Sequence, residues 1–189
     1  MQTTEKLEIV FKEWVRDHAD ALYQFAYHRV NDEELSKDLV QDSFLAAWKN
    51  MESYRGEVSA RNWLFIILKR KIIDHYRKAG RHVEELLNHE KIEDHFFDEA
   101  DHWRKGSYPR ELAVNFTDRT ESQDFQNIFR SCSSKLKTLH KAVFTMKYID
   151  GMESDEICET LGLKSNNFWV LMHRAKLQLR ACLEKNWIK

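Results

Sequence analysis

A chain of 189 residues with five glycines and one proline has few places to turn sharply. Sheets consume tight turns, and tight turns consume those two residues, so the scarcity argues for helices joined by few breaks. The expected fold class is all-α. Gly56, Gly80, Gly106, Pro109, Gly151 and Gly162 supply the punctuation. The apolar spacing between them predicts helices over about 5–30, 33–50, 60–79, 121–131, 135–149, 154–161 and 165–184. No apolar run approaches the ~20 residues that cross a bilayer. The opening residues, Met1 to Lys6, lack the apolar stretch of a secretory signal. A cytoplasmic protein without membrane insertion is the expectation. Cys132, Cys158 and Cys182 are odd in number and have no metal-type or redox-type spacing. They are expected to be small buried apolar residues, with neither a disulfide nor a zinc site.

The net charge of −1 conceals segregation along the chain. Residues 1–53 balance at −5, residues 54–80 at +5, residues 81–125 at −6 and residues 126–189 at +5. Two basic blocks flank an acidic one, a pattern suited to meeting a polyanion at two separate places. Two small helical domains are therefore expected, a helical bundle over 1–80 and a second unit over 126–189. A long acidic linker over 81–125 joins them. That segment has poor periodicity, with Leu86-Leu87 and Phe96-Phe97 as short helical candidates and Trp103, Tyr108 and Pro109 as unusual features.

Residues 152–184 have the pattern of a helix-turn-helix. A short helix over Asp155 to Leu161 meets a longer one from about Ser165, and Gly162 supplies the left-handed turn between them. Small Cys158 is expected to let the two helices approach closely. In the second helix Phe168, Leu171, Met172, Ala175, Leu179 and Cys182 make an apolar stripe. Asn166, Trp169, His173, Lys176 and Arg180 lie opposite. A recognition helix needs that division, one side anchoring it and the other offering groups to base edges and phosphates.

The N-terminal half carries two further surfaces. In the helix around Asp38 to Trp48, Val40, Phe44, Ala47 and Met51 are expected inside. Asp38, Gln41, Asp42, Leu45 and Lys49 are left outside, an acidic face with an apolar centre suited to a protein partner. After the loop Tyr54-Arg55-Gly56-Glu57-Val58-Ser59, the next helix puts Leu64, Phe65, Leu68, Ile72 and Tyr76 on one side. Trp63, Arg70, Lys71, Arg77 and Lys78 fall on the other. Cations hold phosphates and a flat ring offers a stacking surface, the combination that single-stranded nucleic acid requires. Asp74 in that face is expected to orient a neighbouring cation or to cap a packing contact.

Four motifs occur in a telling order: Asp38 to Phe44, then Tyr54-Arg55-Gly56, then Trp63-Leu64 with Ile73 to Arg77, and finally Asp155-Glu156-Ile157-Cys158 to His173-Arg174-Ala175-Lys176. Together they make the chain resemble the extracytoplasmic-function sigma factors, group IV of the sigma-seventy family, of bacterial RNA polymerase. The resemblance covers about residues 10–80 and 130–184. It implies an alternative sigma factor, not an enzyme, with no catalytic residue, cofactor or metal, that selects and opens promoters. Its implied partners are core RNA polymerase, promoter DNA as duplex and as melted strand, and an anti-sigma protein.

The resemblance also assigns residues. Asp38, Gln41, Asp42, Leu45 and Lys49 dock on the polymerase. Tyr54, Arg55, Arg61, Trp63, Arg70, Lys71, Arg77 and Lys78 recognise and melt the minus-ten element. Lys164, Ser165, Asn166, Asn167, Trp169, His173, Arg174 and Lys176 read the minus thirty-five element. The chain departs from the family pattern at Trp169-Val170-Leu171, where a cation, a small polar residue and an arginine are usual. Lys164 to Asn167 likewise replace the usual small turn residues.

A free-standing helix-turn-helix regulator is the competing reading, and it would leave the Trp63 to Lys78 face idle. A metal enzyme built from His89, Glu90, Asp94, His95, Asp98, Asp101 and His102 is a third reading, but their spacing matches neither two-histidine helix motif.

Overall fold

The computed structural model describes residues 2–81 and 119–187. The metal-type cluster around His89 to His102 and the linker residues Leu86 to Pro109 lie outside them. Among the described residues there are seven α-helices, one 3-10 turn and no strand. The chain divides into two compact units, Met1–Lys78 and Ala79–Lys189.

The first unit packs α1 (Gln2–Val30), α2 (Glu33–Lys49) and α3 (Ala60–Gly80), with a 3-10 turn over Met51–Ser53. The corner between α1 and α2 is tight because Asn31 takes a left-handed backbone, φ 54°. Asp32 then caps α2, its carboxylate accepting from the Leu35 amide at 3.0 Å. On α3, Leu64, Leu68, Ile72 and Tyr76 recur every four residues, and all four are buried. They close a core with Leu22, Ala26, Val40, Phe44 and Ala47. Buried Ser36 and Ser43 satisfy their hydroxyls on the carbonyls of Asp32 and Leu39. The Tyr76 hydroxyl donates to the Arg29 carbonyl at 2.8 Å, tying the end of α3 to the end of α1.

The second unit contains α4 (Arg119–Ser134), α5 (Thr138–Tyr148), α6 (Ser154–Leu161) and α7 (Ser165–Asn186). Gly162, at φ +67°, ends α6, and the Leu163 amide donates back to the Cys158 carbonyl at 2.8 Å. Ile157, Leu161, Leu163, Phe168, Leu171 and Ala175 are buried around that turn. The helix predicted from residue 135 starts at Thr138, because Lys135 and Leu136 turn back onto the carbonyls of Cys132 and Ser133.

The cysteines depart from expectation. Cys132 on α4 and Cys182 on α7 form a disulfide across 50 residues of sequence, with Cα atoms 5.7 Å apart. Two of the three thiols are therefore a cross-link and not isolated apolar filler. The bond lies in a cluster of Leu136 and Leu179 with Ile128, Phe144 and Leu183. Cys158, the free thiol, is half-buried, and the contact between α6 and α7 is filled by its neighbours Ile157 and Leu161.

Lys141 on α5 is only 6 % exposed, and burial lowers its ammonium pKa from 10.5 to about 8. A depressed lysine pKa means the folded state binds fewer protons than the unfolded chain between those values. Stability accordingly rises as pH climbs from 8 towards 10.5 and is lowest below 8. Lys141→Met is expected to remove that slope and to stabilise the unit at pH 7 by up to ~3 kcal/mol. Urea unfolding of both proteins across that pH range checks it, and an unchanged slope would refute it.

Candidate nucleic-acid and protein interfaces

Helix α2 has two distinct faces. Val40, Phe44, Ala47 and, just beyond it, Met51 point into the core at 8 % exposure or less. Asp38, Gln41, Asp42 and Lys49 are exposed, and Leu45 stands among them at 52 %. A leucine left this open between carboxylates matches the centre of a docking face. Nearby, Lys37 pairs with Glu33 and Glu34 at 2.8 and 3.0 Å, which raises its pKa through those hydrogen bonds and stiffens the first turns.

The second surface grows from the loop after α2. Gly56 turns the loop at φ +74°, and the Tyr54 hydroxyl donates to the Val58 carbonyl at 2.6 Å, closing it. Ser59 starts α3 by accepting from the Asn62 amide at 3.3 Å. Trp63 is half-buried, 5.0 Å from the Tyr54 ring and 6.1 Å edge-on from Trp14 of α1. Trp14 also meets Tyr54 edge-on at 5.0 Å. The tryptophan is thus one wall of a three-ring cluster and not a solitary ring on a polar face.

Trp63, Arg70 and Arg77 recur at two-turn spacing and so share a stripe, along which Arg70, Arg77 and the adjacent Lys78 are exposed. Lys71 is half-buried, 3.9 Å from Asp42 of α2, linking the two surfaces. Arg55 is open on the loop, and Arg61 lies over the Phe65 ring at 5.4 Å. Exposed Lys69, absent from the residues assigned by resemblance, extends the cationic edge beside Phe25 at 5.9 Å. Half-buried His75 has a pKa lowered by burial and then by Lys78, against the pull of Asp32, so it adds no charge there at neutral pH.

The third surface lies on α7. Lys164, Ser165, Asn166, His173 and Lys176 are exposed, Asn167 is half-buried, and the first turn contains no acid. Its N-terminus, with Lys164 at the cap, therefore presents positive charge that no carboxylate in the first turn offsets. Trp169 is 56 % exposed, its ring set edge-on against buried Phe168 at 5.1 Å. Val170, at 36 %, adds open apolar surface, as do Tyr148 and Ile149 at the end of α5, at 52 % and 62 %, which sequence reasoning did not single out. Lys176 sits 5.4 Å over the Tyr148 ring.

Arg174 is the exception among the assigned residues, buried at 8 % exposure between Leu171 and Leu177 in sequence. A buried guanidinium is not presented to phosphate, so it belongs with the residues that hold the helix. Among the described residues no helix is long and apolar enough to cross a membrane. No group of three or more potential metal ligands occurs among them.

Residues 14–82 match the family described as sigma-70 region 2, and residues 126–179 match sigma-70, region 4. The chain is 38% identical over 162 residues to a probable RNA polymerase sigma factor of Haemophilus influenzae, covering 85% of this chain and 83% of that protein. It is 24% identical over 187 residues to the RNA polymerase sigma factor YlaC of Bacillus subtilis, covering 98% and 96% of the two chains. It is 25% identical to the ECF sigma factor SigW of the same organism, covering 90% and 87%. With region 2 matched on the unit that carries the cationic stripe and region 4 on the unit that carries the helix-turn-helix, the chain belongs to the sigma-70 family as an extracytoplasmic-function sigma factor.

Proposed function

We propose that this sigma factor divides its work among the three surfaces just described. The outer face of α2, Asp38, Gln41, Asp42, Leu45 and Lys49, binds core RNA polymerase. The closed loop and the stripe on α3, with Tyr54, Arg55, Arg61, Trp63, Arg70, Lys71, Arg77 and Lys78, recognise and melt the minus-ten element. The exposed side of α7, with Lys164, Ser165, Asn166, Asn167, Trp169, His173 and Lys176, reads the minus thirty-five element as duplex. Arg174 supports that helix from inside. Residues 1–80 and 126–189 are then the two working domains with 81–125 between them, except that residues 119–125, expected in the linker, belong to α4 of the second domain. The protein acts in the cytoplasm, where polymerase and promoter are, and performs no catalysis of its own. An anti-sigma protein that covers both basic surfaces would hold it inactive.

The observation that carries this reading is the separation of faces in one small unit. An acidic, leucine-centred surface on α2 suits a protein, and a cation-and-ring surface on α3 suits an unpaired strand. Run-off transcription with core polymerase, with and without this chain, is the direct test. Tight duplex binding by the chain alone, with no stimulation of polymerase, would instead indicate a free-standing regulator.

Asp42→Lys or Leu45→Ala is expected to weaken core-polymerase binding by about 1–2 kcal/mol while leaving helicity unchanged. The Asp42–Lys71 pair, long at 3.9 Å and open to solvent on its Asp42 side, adds little to the fold. Equal affinities for the variants and the parent would count against the docking face. On the DNA side, loss of Arg70, Arg77 or Lys78 should reduce the salt slope of promoter binding by ~0.7–0.9 each, nearly independently of sequence. Asn166→Ala or Asn167→Ala should change which upstream bases are preferred, at ~1–3 kcal/mol of discrimination. A uniform weakening from the asparagine variants would mean that they position the helix and do not read bases.

A further inference from the structure

We propose that Cys132 and Cys182 form a reversible oxidation site, through which low-molecular-weight disulfides of the glutathione type set the rigidity of the upstream-reading unit. Disulfides that persist belong to oxidising compartments, and in a reducing cytoplasm a bond of this kind is expected to open and close. The cross-link of α4 to α7 is accordingly more than a staple in a protein that works beside RNA polymerase. The inference rests, for its effect on DNA, on the reading of α7 as the upstream-recognition helix.

The two sulfurs are unequal. Cys132 is 2 % exposed within the cluster of Leu136, Leu179, Ile128 and Phe144, whereas Cys182 is half-buried at the edge of that cluster. The exposed Asn186 side-chain amide donates to the Cys182 carbonyl at 2.6 Å and also lies 3.4 Å from its sulfur, so Cys182 is the sulfur nearer to solvent. Cys182 is therefore the first to react. Its thiolate attacks a small disulfide, forming a mixed disulfide and releasing one small thiolate. The Cys132 thiolate then attacks the Cys182 sulfur and displaces the second. Two protein thiols lose two electrons and two protons, and one small disulfide becomes two small thiols. Cys158 does not compete well, because burial and then Asp155 raise its thiol pKa.

The bond acts on the helix that matters. α7 carries Asn166, Trp169, His173 and Lys176 in its N-terminal half and Cys182 near its other end. Closing the bond fixes α7 against α4 before DNA arrives, and preordering a binding element removes part of the cost of binding. Opening the bond leaves α4 held by side-chain packing alone. Oxidation thus favours upstream reading and reduction weakens it.

The test uses the full chain carrying Cys158→Ser, equilibrated in glutathione buffers of graded ratio. Differential alkylation gives the bonded fraction, and thermal melting gives the stability of the second unit. A bond that opens in millimolar reduced glutathione and reforms in oxidised glutathione, with melting lower by roughly 10 °C or more when open, is the expected result. A bond that survives millimolar reduced glutathione, thiols that never pair, or identical melting in both states would each overturn the proposal. In a second arm, holoenzyme binding to promoters with and without the upstream element is compared in the two redox states. Wild-type affinity should fall roughly threefold to tenfold on reduction only where the element is present, and the Cys132→Ala/Cys182→Ala pair should not respond. If the oxidised holoenzyme ignores the upstream element altogether, the reading of α7 fails, while alkylation and melting still decide the oxidation site.

Discussion

Opening the Cys132–Cys182 bond is expected to lower the unfolding free energy of the C-terminal unit by about 4 kcal/mol. The bond closes a loop of 50 residues. Chain-entropy reasoning assigns a cross-link over that distance about 4 kcal/mol of lost freedom in the unfolded chain. For a helical unit of this size, whose core alone supplies only ~3–5 kcal/mol, that is a large share of the total. Comparing the oxidised and reduced forms of one sequence avoids the cavity or buried hydroxyl that a substitution would introduce. Amide hydrogen exchange reads the effect by region. Protection along α5 and α7 should fall together on reduction, while the amides of Leu64 to Tyr76 in the other unit keep theirs. A loss under about 1 kcal/mol would mean that the reduced ensemble already holds α4 and α7 together, so that the bond has little chain entropy to remove.

What the sequence disclosed and what it hid follow from the range of the interactions. The inner faces were legible because they are local. Spacing of three and four residues marked Leu64, Leu68, Ile72 and Tyr76, as well as Phe168, Leu171, Met172 and Ala175, and all of these are buried. Gly162 announced its turn because a left-handed backbone at that point favours a residue without a side chain. The disulfide was hidden because an odd cysteine count and a cytoplasmic expectation both argued against pairing, and because 50 residues separate the partners. Trp14 was hidden as a neighbour of Trp63 for a similar reason. The two lie 49 positions apart in sequence, and nothing local tells which ring a tryptophan will meet. Arg174 misled in a different way. It follows buried Leu171 by three positions and precedes buried Ala175 by one, so helical geometry puts it at the border of the apolar stripe. It was assigned to DNA through the matched motif His173 to Lys176 and not through its place on the helix.

Trp63→Ala is expected to cause two losses, and the three-ring cluster makes them separable. The ring is half-buried against Tyr54 and Trp14. Truncation leaves a void beside both, and half-burial puts the cost near ~2 kcal/mol, below the ~3–5 of a fully buried tryptophan. The second loss concerns DNA. The ring stands on the same stripe as Arg70 and Arg77 and beside the loop closed by Tyr54 and Val58. If an unpaired base stacks on it, its removal should cost ~1–3 kcal/mol in open-complex formation, while closed binding through the cations survives. Trp14→Ala is the control, because it opens the same cluster from α1 and leaves the α3 stripe intact. Trp63→Phe should restore part of the stacking with a smaller ring. Permanganate reactivity of melted thymines, measured well below the melting temperature of every variant, reads the open complex alone. Trp63→Ala should then be impaired by about tenfold or more, Trp63→Phe partly and Trp14→Ala little. Equal impairment of the Trp14 and Trp63 alanine variants at equal folded fraction would mean that the cluster only holds the loop in place and that no base rests on Trp63.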